Sequence, residues 1–395
     1  MTPSQVPAGP TGLGTSAAHI SPPYRDAPER RRSPEVTKTP VGRSPRFDIP
    51  YPTRISPDVE RARLEGLRWA REMGIVRDDA ETAALDAPRY DRLAAYAYPA
   101  NVGADLDLVV ELMMWFFPFD DLFDGPLGRD PAATAALIDS MVTAMYAHRA
   151  PHLTDPPLIR AFLDLWQRIR LGTTESWRTR LHSDTEVYLR SYQWEVANRV
   201  RGRTPNVATY LEIRRHSIGV WPSVEAGERT GHFEIPHTAF RSEQIQAMRR
   251  LCSDVVVLVN DALSAGKDRD RNDLNLVPLL QGEEGLTADE AMARIEQMVD
   301  QRLREFRRLD DSLDRLHDDL NLAPAARYDL ERYADGMRAW MRGNLDWSLE
   351  TVRYRARPDT SDHGCRVIPA GAPANRPLRA QPRHPVHSPD IRRRR

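Results

Sequence analysis

From about Ser56 onward, apolar residues recur at intervals of three and four, the period of helices that bury one face. The windows with this period are Pro57 to Met73, Asp78 to Ala97, Ala132 to Ala147, Leu158 to Leu171, Thr173 to Val200, Asn206 to Ile218, Ser242 to Ser264, Thr287 to Leu316 and Pro324 to Glu350. Two further stretches, Leu106 to Phe119 and Met248 to Val259, are apolar nearly all round, as helices inside a bundle are. No series of alternating strand segments and no fixed-period repeat occurs. The pattern therefore predicts an all-α, single-domain helical bundle rather than a solenoid.

The ends of the chain lack this pattern. Residues 1 to 48 are rich in Pro, Ser, Thr, Gly and Arg, and residues 356 to 395 are similar, closing on Arg392-Arg393-Arg394-Arg395. Both are expected to be disordered tails, which leaves 49 to 355 as the folded domain. A net charge of -1 argues against a dedicated nucleic-acid binder, so the basic tails read as solvated chain. Cys252 lies in an apolar helix and Cys365 in a tail, so no disulfide is expected. With no apolar leader, and a longest apolar run interrupted by Asp107 and Glu111 and too short for a bilayer, a cytoplasmic protein without a membrane span is expected. Either a monomer or a homodimer fits this composition.

Polar residues interrupt the two apolar stretches in a telling way. Asp120-Asp121-Leu122-Phe123-Asp124 follows the first, with Gly125-Pro126 directly after, the usual signature of a finished helix. Asp120 and Asp124 then share one helical face in the last turn, with Asp121 beside them. Carboxylates there oppose the helix dipole by ~0.3 to 1 kcal/mol each, a penalty that bound cations would remove. After the second stretch, Asn260, Ser264 and Asp268 form one stripe at i, i+4, i+8. An amide oxygen, a hydroxyl and a carboxylate suit a hard cation that keeps waters and ligand phosphates, and Lys267 adds a positive charge beside the last of them. Either motif alone is an ordinary solvated helix end; both in one helical chain point to a cage for Mg2+.

Three other features bear on the same chemistry. The helix through Tyr210 and Arg214 meets Gly219 and Pro222 and should break near Ile218, freeing backbone carbonyls, while Arg214 can fork phosphate oxygens. Arg353 and Tyr354 form a second donor pair near the C-terminal end of the domain. Trp115, Phe116, Phe117 and Phe119 precede the aspartates; most should be core, with one or two free to line a cavity and face a cation. There is no glycine-rich phosphate loop, H-E-x-x-H helix, C-x-x-C pair or G-x-S-x-G elbow.

In this order, Asp120-Asp121-x-x-Asp124, Arg214, Asn260-Asp261-x-x-Ser264-x-x-Lys267-Asp268 and Arg353-Tyr354 resemble the motifs of the class I terpene synthase family, in its bacterial sesquiterpene cyclase branch. The resemblance runs from about Phe47 to Tyr354. It implies farnesyl diphosphate as substrate and three Mg2+ ions held by Asp120, Asp124, Asn260, Ser264 and Asp268. Arg214, Lys267, Arg353, Tyr354, Arg199 and Arg271 would bind the diphosphate. Phe116, Phe117, Trp347 and the chain at Ile218 would surround the cation during ring closure. Two positions depart from the family pattern: Pro118 sits just before the first motif, and Asp268 replaces the usual glutamate. The competing expectations are a prenyl-elongating synthase, which should carry a second aspartate-rich motif, and a non-enzymatic helical scaffold.

Overall fold

The computed structural model describes residues 42–271 and 273–354. Among these it is an all-α bundle with no strand. Most of the expected tails, and Cys365, lie outside the described residues. Residues 42–48 do not: Arg43 pairs with Glu296 and its backbone N–H donates to Asp289 at 2.7 Å, laying this segment along a helix of the bundle.

The N-terminal part comprises α1 (Val59–Glu72), α2 (Asp79–Asp86), α3 (Tyr90–Ala97) and α4 (Gly103–Asp121). Where one helix was expected over Asp78 to Ala97, Pro88 and a left-handed Arg89 divide two, because proline donates no hydrogen bond to the preceding turn. α4 keeps its helical course through Pro118 into its last turn. Then come α5 (Pro131–Tyr146), α6 (Pro157–Ile169) and α7 (Glu175–Arg201). Asp130 starts α5 by accepting from Ala132 and Ala133 N–H, with Pro131 at the position where a missing donor costs nothing. Gly202, left-handed, ends α7.

α8 (Val207–Ser217) and α9 (Val220–Thr230) meet at Gly219, whose φ of 74° is the break that the sequence anticipates. Pro222 falls in the first turn of α9, where no backbone donor is required. The short α10 (His237–Phe240) leads to α11 (Glu243–Arg271), then α12 (Leu276–Glu284), α13 (Ala288–Asp310), α14 (Leu313–Asp319) and α15 (Pro324–Glu350). The expected single helix over Thr287 to Leu316 is two, parted at Asp311-Ser312.

α11 is the central helix, packing against α8, α9, α12, α13 and α15. Its run Val255 to Val259 is buried completely, and at ~1.5 to 3 kcal/mol per buried side chain this outweighs the weak helix propensity of β-branched residues. A buried ionic network ties it to its neighbours. Arg249 of α11 reaches Glu225 of α9 at 3.1 Å and Asp184 of α7 at 2.5 Å, and Arg180 of α7 reaches Glu228 at 3.0 Å. Burial and the neighbouring Glu225 push the Glu228 carboxyl well above its ordinary range. Such a network costs desolvation energy, but removing one partner would strand a charge, so it fixes the register of α7, α9 and α11.

α15 lies close on α3. A Cβ added at Gly343 would come within 2.7 Å of Tyr96 Cβ and 2.9 Å of the Tyr96 carbonyl carbon, whereas one added at Gly336 would meet nothing within 4 Å. Gly343→Ala should therefore destabilise the protein by about 1 to 3 kcal/mol, the usual cost of overpacking. Gly336→Ala should stabilise it by about 0.5 to 1 kcal/mol, since glycine is costly inside a helix. Urea unfolding of the two variants would check the opposite signs.

Glu111, on the buried side of α4, is paired with Arg168. Burial pushes its carboxyl from 4.5 up to about 7, against the pull of Arg168. The folded state thus holds this proton more tightly than the unfolded chain. Its contribution to stability is complete below pH 4.5 and lost as the pH rises through about 7. The unfolding free energy of the wild type relative to Glu111→Gln should fall across that window, measurable by urea titration at both ends.

Candidate active site

One cavity of about 240 Å3 opens between α4, α7, α8, α9, α11 and α15. It has a polar mouth and an aromatic interior. Every residue singled out in the sequence for metal, diphosphate or cation lines it except Arg271, which reaches Asp124 from outside the lining.

At one side of the mouth, α4 ends at Asp121 and Leu122–Asp124 tightens into a 3-10 turn, so Asp124 does not sit in the same α-helical turn as Asp120. The cause is local: a helix C-terminus has unpaired carbonyls, and the tighter turn lets Gly125 N–H reach the Leu122 carbonyl at 3.3 Å. Arg199 holds this loop by donating to the carbonyls of Phe123 at 2.8 Å and Gly128 at 3.3 Å. It therefore braces the loop that carries Asp124 as well as lining the cavity.

Across the mouth, α11 does not end at the second motif but runs on to Arg271, placing Asn260 well inside the helix. Asn260, Ser264 and Asp268 all face the cavity. Ser264 Oγ donates to Asp268 Oδ2 at 2.6 Å, and Asn275 Nδ2 donates to the same oxygen at 2.8 Å. Asn275 also caps α12 through Val277 N–H at 2.9 Å. The shorter Asp268 is thus locked in place from two directions.

Arginines bridge the two sides. Arg353 lies 2.9 Å from Asp121 and 3.5 Å from Asp120, over the Phe117 ring at 4.9 Å. Burial alone would raise the Asp121 carboxyl, but Arg353, with Lys267 and Arg271, holds it below its ordinary range. Asp124 goes the other way: burial raises it despite Arg271. Burial and then Arg353 lower the Lys267 ammonium. Asp273, close by, is pushed up to about 7 by burial and by repulsion from Asp124.

Arg214 donates to Asn260 Oδ1 at 3.1 Å and to Asp261 Oδ1 at 3.2 Å. Tyr210 OH reaches the other Asp261 oxygen at 2.5 Å, and Leu276 N–H the same atom at 3.2 Å. Asn260 Nδ2 in turn donates to Tyr354 OH at 2.7 Å, joining the stripe to the C-terminal donor pair. Of the carbonyls that the Gly219 break was expected to free, that of Gly219 itself is occupied, accepting from Ser223 Oγ at 2.7 Å as α9 begins. Ile218 lines the cavity.

Trp115 and Phe119 are core, while Phe116 and Phe117 line the cavity with Trp347. Phe117 stacks on Tyr90 with centroids 4.1 Å apart, and Trp347 is fixed by its Nε1–H to the Pro88 carbonyl at 2.9 Å. Phe116 meets Tyr188 edge to face at 5.0 Å.

Sequence reasoning assigned no role to Asp121, Asp261, Tyr210, Asp273 or Asn275. Asp121 and Asp261 are visible in the motifs, but their partners stand 232 and 47 residues away, beyond any local pattern. Asp273 and Asn275 leave no sequence signal at all. Among the described residues, one trio of His, Cys, Asp or Glu side chains brings donor atoms within 4.8 Å of one another, as a divalent cation requires: Asp314, His317 and Glu331. It lies outside this cavity. No helix among the described residues is long and apolar enough to cross a membrane.

Residues 111–305 match the model of terpene synthase family 2, C-terminal metal binding. The chain is 37% identical over 361 residues to pristinol synthase of Streptomyces pristinaespiralis, covering 90% of this chain and 97% of that protein. It is 39% identical over 315 residues to pentalenene synthase of Streptomyces avermitilis, covering 78% and 93%. Among solved structures, linalool/nerolidol synthase of Streptomyces clavuligerus superposes with a TM-score of 0.71 at 33% identity, over 77% of this chain and 100% of that one. Similarity that spans nearly the whole of these relatives, carried by a helical bundle with two oxygen-rich motifs facing each other across one cavity, places the chain in the class I bacterial terpene synthase family.

Proposed function

We propose that the protein ionises farnesyl diphosphate and cyclises it to a C15 hydrocarbon or alcohol, pentalenene-like or related, releasing diphosphate. The observation that carries this reading is the division of a single cavity into an oxygen-lined mouth and an aromatic interior. The mouth donors are carboxylate, amide and hydroxyl oxygens without sulfur or imidazole, a set that fits Mg2+. Asp120 and Asp124 would hold the ions on one side, and Asn260, Ser264 and Asp268 on the other, three ions in all. Bound Mg2+ would supply neutralisation of the diphosphate charge, which makes it a leaving group.

The chain's own residues do the rest. Arg214, Lys267 and Arg353 bind diphosphate oxygens, and Tyr354 donates a hydrogen bond; Arg199 and Arg271 steady the loop of Asp124 from behind. Asp261 orients Arg214 and keeps its guanidinium charged in spite of burial. When Arg353 turns from Asp121 to the diphosphate, it draws the C-terminal end of the domain over the mouth and excludes water. The allylic cation then lies against the faces of Phe116, Phe117 and Trp347. The released diphosphate accepts the final proton.

A prenyl-elongating reaction is disfavoured by the asymmetry of the mouth, aspartates on one side and Asn, Ser and Asp on the other. A second reading, formation of a linalool- or nerolidol-type alcohol, has support in the structure that superposes at TM-score 0.71. Incubating the protein and Mg2+ with C10, C15 and C20 diphosphates, followed by gas chromatography of the extract, separates these cases. Cyclic C15 products are expected; elongated prenyl chains alone would overturn the proposal.

Asn260→Ala should abolish turnover while circular dichroism shows the helical content retained. Asp261→Ala should cost more in stability than Asn260→Ala, by about 3 to 5 kcal/mol, because it strands the buried Arg214 charge. Thermal unfolding of the two variants side by side would show the difference.

A further inference from the structure

At the far end of α15 from the cavity, α14 folds back on the helix across the Leu320–Ala323 connection. Here His317 is only 3% exposed, yet its Nε2 has no hydrogen-bond partner. Two carboxylates flank the ring beyond hydrogen-bonding reach: Asp314 Oδ1 lies 3.5 Å from Nδ1 and Glu331 Oε1 lies 3.9 Å from Nε2. A buried imidazole nitrogen left without a partner is costly, and the nearest acceptor does not close on it.

The two contacts are to opposite ring nitrogens, so a shared ion would sit on one of them and the carboxylate beside the other would swing across to reach it. Two ligands each ~2.1 Å from a shared ion at a tetrahedral angle stand about 3.4 Å apart. One donor atom from each of Asp314, His317 and Glu331 lies within 4.8 Å of the others, so small side-chain rotations bring all three onto one ion. Asp314 and His317 are one helical turn apart on α14, and Glu331 is on α15, so the three donors span both helices. The oxygen of Glu331 that faces His317 is Oε1; Arg338 approaches the other, Oε2, at 3.6 Å, and is itself committed to Asp310 at 2.6 Å. Asp314 is fully exposed and provides an entry route from solvent.

We propose that Asp314, His317 and Glu331 form a second metal site, separate from the catalytic mouth and selective for a borderline divalent ion such as Zn2+ over Mg2+. One imidazole nitrogen and two carboxylate oxygens, with water completing the shell, suit Zn2+, whereas Mg2+ takes oxygen donors alone. None of the three residues lines the cavity, and Glu331 precedes Asn344 of the cavity wall by 13 residues, about 20 Å of helix. The bound ion pins α14 to α15, the helix whose other end supplies Trp340, Asn344 and Trp347 to the cavity.

The test uses the full chain with its catalytic mouth saturated by Mg2+ and inorganic pyrophosphate, titrated with Zn2+ in a calorimeter. Wild type should take up one equivalent of Zn2+ more than His317→Gln, and Zn2+ should raise its unfolding temperature but not that of the variant. Binding elsewhere on the chain, the tails included, is common to both proteins and cancels in the difference. Asp314→Asn, at a fully exposed position, should weaken the extra equivalent at least about tenfold, no less than loss of an outer-shell partner does. Turnover of farnesyl diphosphate in Mg2+ should be unchanged in Asp314→Asn. Equal uptake by wild type, His317→Gln and Asp314→Asn, or uptake lost only in Asn260→Ala, would overturn the proposal.

Discussion

Carboxylates crowded at the mouth of a cavity repel one another, and much of the surrounding structure serves to bring cations among them. Two like charges 4 Å apart cost about 4 kcal/mol at an effective dielectric of 20, so a cluster of aspartates needs cations close by. Arg353 and Arg271 supply the balance at Asp121 and Asp124, and Arg214 supplies it around Asp261. Asp124 and Asp273 are raised chiefly by burial and further by the neighbouring carboxylates, against the pull of Arg271 and Arg199. A polyanionic ligand with its own metal ions would complete the balance, which is why the arrangement suits a diphosphate better than a neutral molecule.

The same constraint orders the helices. Arg353 can reach Asp121 only if α15 runs alongside α3 and delivers its C-terminal end to the end of α4. Gly343, with no side chain to separate α15 from Tyr96, permits that approach. Pro88 then accepts from both Trp347 and Thr351, fixing the aromatic wall and the last turn before the arginine together. Charge at the mouth and packing in the wall are thus set by one helix contact. On the other side, Asn275 links Asp268 to the start of α12, so the second motif depends on the loop between α11 and α12.

Arginines that sequence reasoning assigns to the ligand also have structural duties. Arg199 spends its hydrogen bonds on the Phe123 and Gly128 carbonyls, and a Cβ at Gly128 would collide with that contact at 1.7 Å from the Phe123 carbonyl oxygen. The ionic network of Arg180, Arg249, Asp184, Glu225 and Glu228 is buried more deeply still, and there charges hold helices in register instead of meeting a ligand.

Local sequence determined the helical class, the position of the Gly219 break and the two oxygen-rich motifs, because helical period, glycine conformation and i, i+4 spacing are properties of a few consecutive residues. It also marked Phe116 and Phe117 as able to line a cavity. It misjudged where helices stop: one window became α2 and α3 at Pro88, another became α13 and α14, and α11 ran on past its expected end, since terminal turns are decided by packing as much as by composition. Which side chain neutralises which was beyond it. The pairs Asp121 with Arg353, Asp261 with Arg214, and Asp268 with Asn275 join residues from different helices and loops, and Coulomb energy depends on distance in space. Only the tertiary structure sets that distance.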